Sequence, residues 1–153
     1  AELGGGYGGL GHFLLNSKMP VTYINFDLPE NLIVSSYYLK ASNPEKRIKI
    51  FDGSEVDLSR EDIQQYDAVL MPNYFLPKLE ALSVDLFINT VSLSEMDFVS
   101  IEAYCKQISR VTRRYFYHEN IIDSGASFYV FPTQTFPKLN AFIRLHPSGL
   151  HSV

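Results

Sequence analysis

Residues 2–13 read ELGGGYGGLGHF, with glycine at 4, 5, 6, 8 and 9 and again at 11. A backbone stripped of side chains over so short a run suits a turn whose peptide groups must approach a ligand or another segment closely. After it, Leu10, Phe13 and Leu14 are apolar at helical spacing up to about Asn16. The order is therefore strand tip, glycine turn, helix. Only Ala1, Glu2 and Leu3 precede the glycines, fewer than the roughly five residues of an ordinary strand. The chain is expected to be a fragment that lacks an upstream segment and part of its first strand.

Outward from this turn the chain alternates. A β-rich run over Val21 to Phe26, closed by Asp27 and Pro29, predicts a second strand, and ENLIVSSYYLKAS (30–42) predicts a helix with an apolar stripe of Leu32, Ile33, Ser36 and Leu39. KRIKIFDG (46–53) reads as a short strand, LSREDIQQY (58–66) as a short helix capped by Ser59, and DAVLMPNYF (67–75) as a buried strand stopped by Pro72. A strand from Asp85 to Asn89 and a polar loop then precede the clearest helix, DFVSIEAYCKQISRV (97–111). Its stripe is Phe98, Ile101, Tyr104, Cys105 and Ile108, with Ser94 or Asp97 as cap. RRYFYHEN (113–120) predicts another strand, and ASFYVFP (126–132) with NAFIRLHP (140–147) a closing antiparallel pair. This order predicts an α/β fold: a doubly wound, mostly parallel sheet with a hairpin-like end, in a single domain over residues 1–153.

The composition narrows the function classes. With 13 basic against 17 acidic residues and a net charge of −4, the chain has no electrostatic footprint for nucleic acid. It carries no apolar run of the roughly 18 to 20 residues that span a membrane, and no secretory leader pattern. Cys105 is its single cysteine, and no Cys/His set has metal-ligand spacing, so no metal is expected. The expectation is a soluble protein in a reducing, cytoplasmic setting.

The glycines fit two patterns. Gly4, Gly6 and Gly9 satisfy G-x-G-x-x-G of dinucleotide sites, while Glu2, Gly4, Gly6 and Gly8 satisfy an acidic-x-G-x-G-x-G pattern; a phosphate-binding P-loop would need a following Gly-Lys-Ser/Thr. Asp27 stands about 20 residues on, at the end of the second strand, where a carboxylate can accept hydrogen bonds from both hydroxyls of an adenosine ribose. That placement favours a nucleoside cofactor. Asp27 as a simple cap for the helix after Pro29, and a glycine turn without a ligand, stay open.

ELGGGYGG (2–9), NFDLPE (25–30) and DLFINTVSLSEM (85–96), in that order, resemble the Rossmann-like S-adenosylmethionine-dependent methyltransferases, and most closely the bacterial putative sugar O-methyltransferases. The resemblance covers residues 1 to about 120. It implies a seven-stranded sheet with a reversed last strand, S-adenosylmethionine as cofactor, and a hydroxyl of a sugar or polysaccharide as methyl acceptor. It also implies that Glu2, Gly4, Gly6 and Gly8 surround the amino acid part of the cofactor, with Asp27 on the ribose and Leu28 beside the adenine. Glycine amides and a helix N-terminus can receive a carboxylate, Glu2 can receive an ammonium through water, and Tyr7 can face a sulfonium or act as a lid.

Asn73 is the candidate adenine contact, although the extra RIKIFDG run makes Asp52 its rival. The loop after DLFINT opens toward the expected methyl position, with Asn89, Thr90 and Ser92 as polar lining. Glu95 is the candidate base or acceptor-orienting carboxylate there, and His118 the alternative base. Glu95 also reads as part of a helix start. Two other classes remain. A nicotinamide-dependent oxidoreductase would use Gly4, Gly6, Gly9 and Asp27, and a non-catalytic module would keep the cleft without turnover. A homo-oligomer, with a strand supplied by a second copy, fits a trimmed first strand.

Overall fold

The computed structural model describes residues 1–54 and 57–120. Its strands are β1 (Glu2–Leu3), β2 (Tyr23–Asp27), β3 (Ile48–Ile50), β4 (Ala68–Pro72), β5 (Val84–Thr90) and β6 (Thr112–Glu119). Its helices are α1 (Gly9–Asn16), α2 (Pro29–Ser42), α3 (Arg60–Ile63) and α4 (Phe98–Val111), with 3-10 turns at Asn73–Lys78 and Ser92–Glu95. The six strands form one sheet in the order β3-β4-β2-β1-β5-β6, and every pairing is parallel. This is an α/β architecture compatible with a Rossmann-like fold. The expected antiparallel pair at 126–132 and 140–147 lies outside the described residues.

Strand β1 is only two residues long, yet it is central, paired to β2 on one side and β5 on the other. Its neighbours lengthen its pairing: the Ile88 amide donates to the Ala1 carbonyl at 2.8 Å, and the Gly4 amide to the Phe26 carbonyl at 2.8 Å. All five residues of β2 and of β4 are buried, as befits parallel strands covered on both faces. On one face Leu3, Ile24, Phe26, Val69, Met71 and Phe87 pack with Ile101, Cys105 and Ile108 of α4. On the other, Tyr23, Ala68 and Leu70 pack with Leu15 of α1 and Leu32 and Leu39 of α2. Truncating a fully buried phenylalanine such as Phe26 or Phe87 costs about 3–5 kcal/mol. Among the described residues no helix is long and apolar enough to cross a membrane.

Several expectations shift. β2 begins and ends later than Val21 and Phe26, since Asp27 completes the register opposite Pro72. Residue 33 was expected on the buried stripe of α2, but the helix instead buries Leu32, Ser35 and Leu39 and leaves Ile33 73% exposed. Apolar residues run around α2 on more than one side, so periodicity alone does not choose the core face. Phe98 likewise is exposed at the start of α4, which is capped by the Asp97 carboxylate accepting from the Ser100 amide at 3.0 Å. The run at 46–53 supplies the edge strand, whereas β4 lies beside β2. Asn73 therefore follows the strand adjacent to Asp27, and Asp52 lies one strand farther out.

The turn after β5 is strained. Val91 has φ +67° and ψ −38°, a conformation that a β-branched residue adopts only when its surroundings impose it. Here its amide donates to the Glu119 carbonyl at 2.6 Å, and its carbonyl accepts from the Ser94 amide and hydroxyl at 3.1 and 2.6 Å. Val91 is exposed, so little packing is lost on truncation. Val91→Gly is expected to raise stability by about 1 kcal/mol, read from the shift of the urea unfolding midpoint at unchanged slope.

Candidate ligand site at the carboxyl end of the sheet

Chain order reverses direction between β1 and β5, and in open parallel sheets the crevice beyond the strand ends at such a point is where ligands bind. The glycine turn occupies this place. Gly4 (φ +80°) lies against β5's exit: a Cβ there would stand 2.4 Å from the Ser92 Cβ, so no larger residue fits. Gly6 (φ +55°) is the opposite case, with no atom within 4 Å of where a Cβ would stand. The turn is closed at Gly4 and open at Gly6.

Three successive amides of the turn are tied to β2. Besides the Gly4 bond to Phe26, the Gly5 amide donates to Asn25 Oδ1 at 3.2 Å and the Gly6 amide to Asp27 Oδ2 at 2.7 Å. These groups hold the turn and are not spare donors for an anion. The free donors lie further on. The first bond into α1 runs from the His12 amide to the Gly8 carbonyl at 2.9 Å, and α1 has no side-chain cap. The amides of Gly9, Leu10 and Gly11 thus form an uncapped helix start.

Asp27 is only 5% exposed. Its Oδ1 accepts from the Leu28 amide at 2.7 Å and from Asn31 Nδ2 at 2.9 Å, in addition to the Gly6 bond on Oδ2. A carboxylate offers about four acceptor positions, which leaves one on Oδ2. Asp27 therefore fixes the turn and holds the Leu28 amide and the Asn31 side chain, while α2 itself has no side-chain cap; one acceptor position stays open for a ligand donor. Leu28 is exposed beside it. The side chain of Asn73, half-buried beyond Pro72, makes no hydrogen bond among the described residues.

Glu2 is 3% exposed and accepts a short hydrogen bond from the Tyr23 hydroxyl. Burial pushes its carboxyl above the usual carboxylate range; the Tyr23 bond and the N-terminal ammonium pull it back, and the Asp27 charge adds to the rise. Tyr7 is 62% exposed and leans edge-on against Tyr38 of α2, ring centres 5.4 Å apart. It stands beside the turn rather than in the core.

On the β5 side Asn89 is fully buried. Its Nδ2 donates to the Leu3 carbonyl at 2.9 Å and to Ser92 Oγ at 2.6 Å, while its Oδ1 accepts from Asn120 Nδ2 at 2.8 Å. The Ser92 hydroxyl also donates to the Leu3 carbonyl at 3.0 Å. Asn89 and Ser92 thus lock the entrance of the glycine turn to the exit of β5. Glu95 is exposed in the following 3-10 turn. His118 pairs in register with Asn89 but stacks on Phe116, which packs against the α4-side core. The two candidate bases are therefore carried by different elements, and only Glu95 belongs to the loop that meets Gly4.

Tyr23, Asn25, Asn31 and Asn120 were not anticipated. The signal for the first two was present: YINFD places Tyr23, Asn25 and Asp27 on one face of β2 and Ile24 and Phe26 on the other. Tyr74 and Lys78 also have the spacing of a Tyr-x-x-x-Lys pair, which suits an α-helix. They lie instead in a 3-10 turn that contains Pro77, where residues four apart do not share a face. Lys78 Nζ sits over the Phe75 ring at 4.5 Å. Cys105 is buried, and burial pushes its thiol up to about 11, leaving it unreactive.

A carboxyl whose pKa is raised on folding binds its proton more tightly in the folded chain, so the wild type loses stability as pH rises from the ordinary value of 4.5 through the folded one. Glu2→Gln does not ionise. The stability difference, variant minus wild type, is expected to be flat below the ordinary value and to grow in the variant's favour above it, as read by urea titration across that range. A difference that shrinks with rising pH would show that Glu2 is ionised at a net gain in the fold. Compared with known proteins, the chain matches no protein-family model, no curated protein and no solved structure.

Proposed function

We propose that the chain is a Rossmann-like S-adenosylmethionine-dependent O-methyltransferase domain acting on a hydroxyl of a sugar or polysaccharide. The observation that carries the cofactor half is the glycine turn. Gly4, Gly6 and Gly8 all have positive φ, which matches the acidic-x-G-x-G-x-G pattern begun by Glu2. The dinucleotide pattern needs its third glycine where helix meets strand, whereas the nearest atoms to a Cβ on Gly9 belong to the exposed Tyr7 side chain and not to a strand. The saccharide half rests on the resemblance of residues 2–9, 25–30 and 85–96.

The residues present fit this cofactor. Open space at Gly6 admits it, the uncapped start of α1 suits its carboxylate, Glu2 its ammonium, the remaining acceptor position of Asp27 a ribose hydroxyl, and Leu28 and Asn73 the adenine. When bound, it supplies a methyl carbon activated by a sulfonium. The protein's share is alignment of the two reactants and removal of the acceptor's proton. Glu95, exposed in the loop that meets Gly4, is the candidate to take that proton; His118 is the second candidate.

The test is titration calorimetry of the chain with S-adenosylmethionine, S-adenosylhomocysteine, NAD and NADP, with thermal melts of each variant. The sulfonium cofactor and its product are expected to bind, and Asp27→Asn to weaken both at least about tenfold, the worth of one charge-assisted hydrogen bond. Dinucleotide binding in their place would favour the oxidoreductase, and no binding at all the non-catalytic module. Glu95→Gln is expected to slow methyl transfer to a saccharide acceptor by about 100-fold without loosening S-adenosylhomocysteine.

A further inference from the structure

Behind the glycine turn, Glu2 of β1 and Tyr23, Asn25 and Asp27 of β2 share one face of the sheet, with Glu2 in register with Asn25. Tyr23 meets three parts of the site. Its hydroxyl donates to Glu2. A Cβ on Gly5 would lie 2.8 Å from that hydroxyl oxygen, and one on Gly11 2.6 Å from the ring. A single buried side chain thus lies against the turn, the start of α1 and the acidic group at once.

Among the described residues the Tyr23 hydroxyl is the one hydrogen-bond donor to Glu2. Burial, and then the Glu2 charge, push the phenol well above its usual range, so the donor persists at every working pH. A glutamate side chain has several rotatable bonds, and a hydrogen bond from a rigid ring limits the directions its carboxylate takes.

We propose that Tyr23 is a positioning residue, whose hydroxyl aims the Glu2 carboxylate so that the pair selects ligands carrying an ammonium group beside the glycine turn. This rests on the cofactor reading above. Tyr23→Phe keeps the ring against Gly11 and removes the hydroxyl that faces both Glu2 and Gly5, so a probe without the ammonium is needed to report on the shape of the turn by itself.

The experiment compares two probes that share the adenosine and the thioether: S-adenosylhomocysteine, which carries the ammonium, and 5′-methylthioadenosine, which lacks the amino acid. Their affinities are measured by calorimetry for the wild-type chain, Tyr23→Phe, Glu2→Gln and the double variant, as a double-mutant cycle with the ligand as one side. The expected result is an approximately tenfold loss for S-adenosylhomocysteine in Tyr23→Phe with methylthioadenosine unchanged. Glu2→Gln should show the same selective loss, and the double variant no more than the larger single effect. Equal losses for both probes would make Tyr23 a support of the turn alone and overturn the proposal, as would unchanged affinities or full additivity in the double variant. If Tyr23→Phe melts early, both probes are measured at a temperature where circular dichroism shows it folded, and equal or unchanged affinities there still overturn the proposal. A wild type that binds neither probe would overturn the cofactor reading itself, and this inference with it.

Discussion

A turn without side chains has no apolar surface to bury, so nothing hydrophobic can hold residues 4–6 in place. What holds them is β2. The Gly4, Gly5 and Gly6 amides donate in succession to the Phe26 carbonyl, the Asn25 side chain and the Asp27 carboxylate. The place of the glycine turn beside β2, and with it the approach to α1, follows from these bonds. They also redirect the anion-binding capacity of the glycine stretch. Amides that hold the turn are unavailable, and the donors pass to the first turn of α1, where the helix start has no side-chain cap.

The same economy governs the opposite wall. Asn89, Ser92 and Asn120 use their polar groups to bind Leu3 and one another, so residues that read as pocket lining instead join β5 to β1. Val91 bears the backbone strain of this junction. The sheet's two halves are thereby fixed across a first strand of two residues, which has too few ladder bonds of its own to do so. The crevice is walled by hydrogen bonds on both sides and stays open at Gly6.

Within that crevice the ionisable groups are acidic and enclosed: Glu2 and Asp27 are both buried on the face that carries Tyr23 and Asn25. Burial of Glu2, with the Asp27 charge beside it, raises the Glu2 pKa, and a further cationic partner would relieve it. That chemistry is in keeping with the proposed cofactor, whose ammonium and sulfonium are both positive. Glu95, by contrast, is solvated, as a base that must accept and release a proton each turnover can be.

The sequence by itself determined the alternation of strands and helices, the glycine turn, the placement of Asp27 at the end of β2 and the start of α4 with Ser94 or Asp97 as its cap. All of these depend on neighbours within a few residues: hydrophobic period, cap chemistry and backbone freedom. It did not determine that so short a β1 would be central, because that depends on partners at residues 23–27 and 84–90. Nor did it determine the core face of α2, whose apolar residues point several ways and are sorted only by what packs against them. The tertiary structure alone decided that Asp27 and Asn89 are anchors of the turn, and that Tyr23 holds Glu2. A hydrogen bond between residues 21 apart in the chain leaves no local trace; it exists because the sheet sets two strands side by side about 4.8 Å apart.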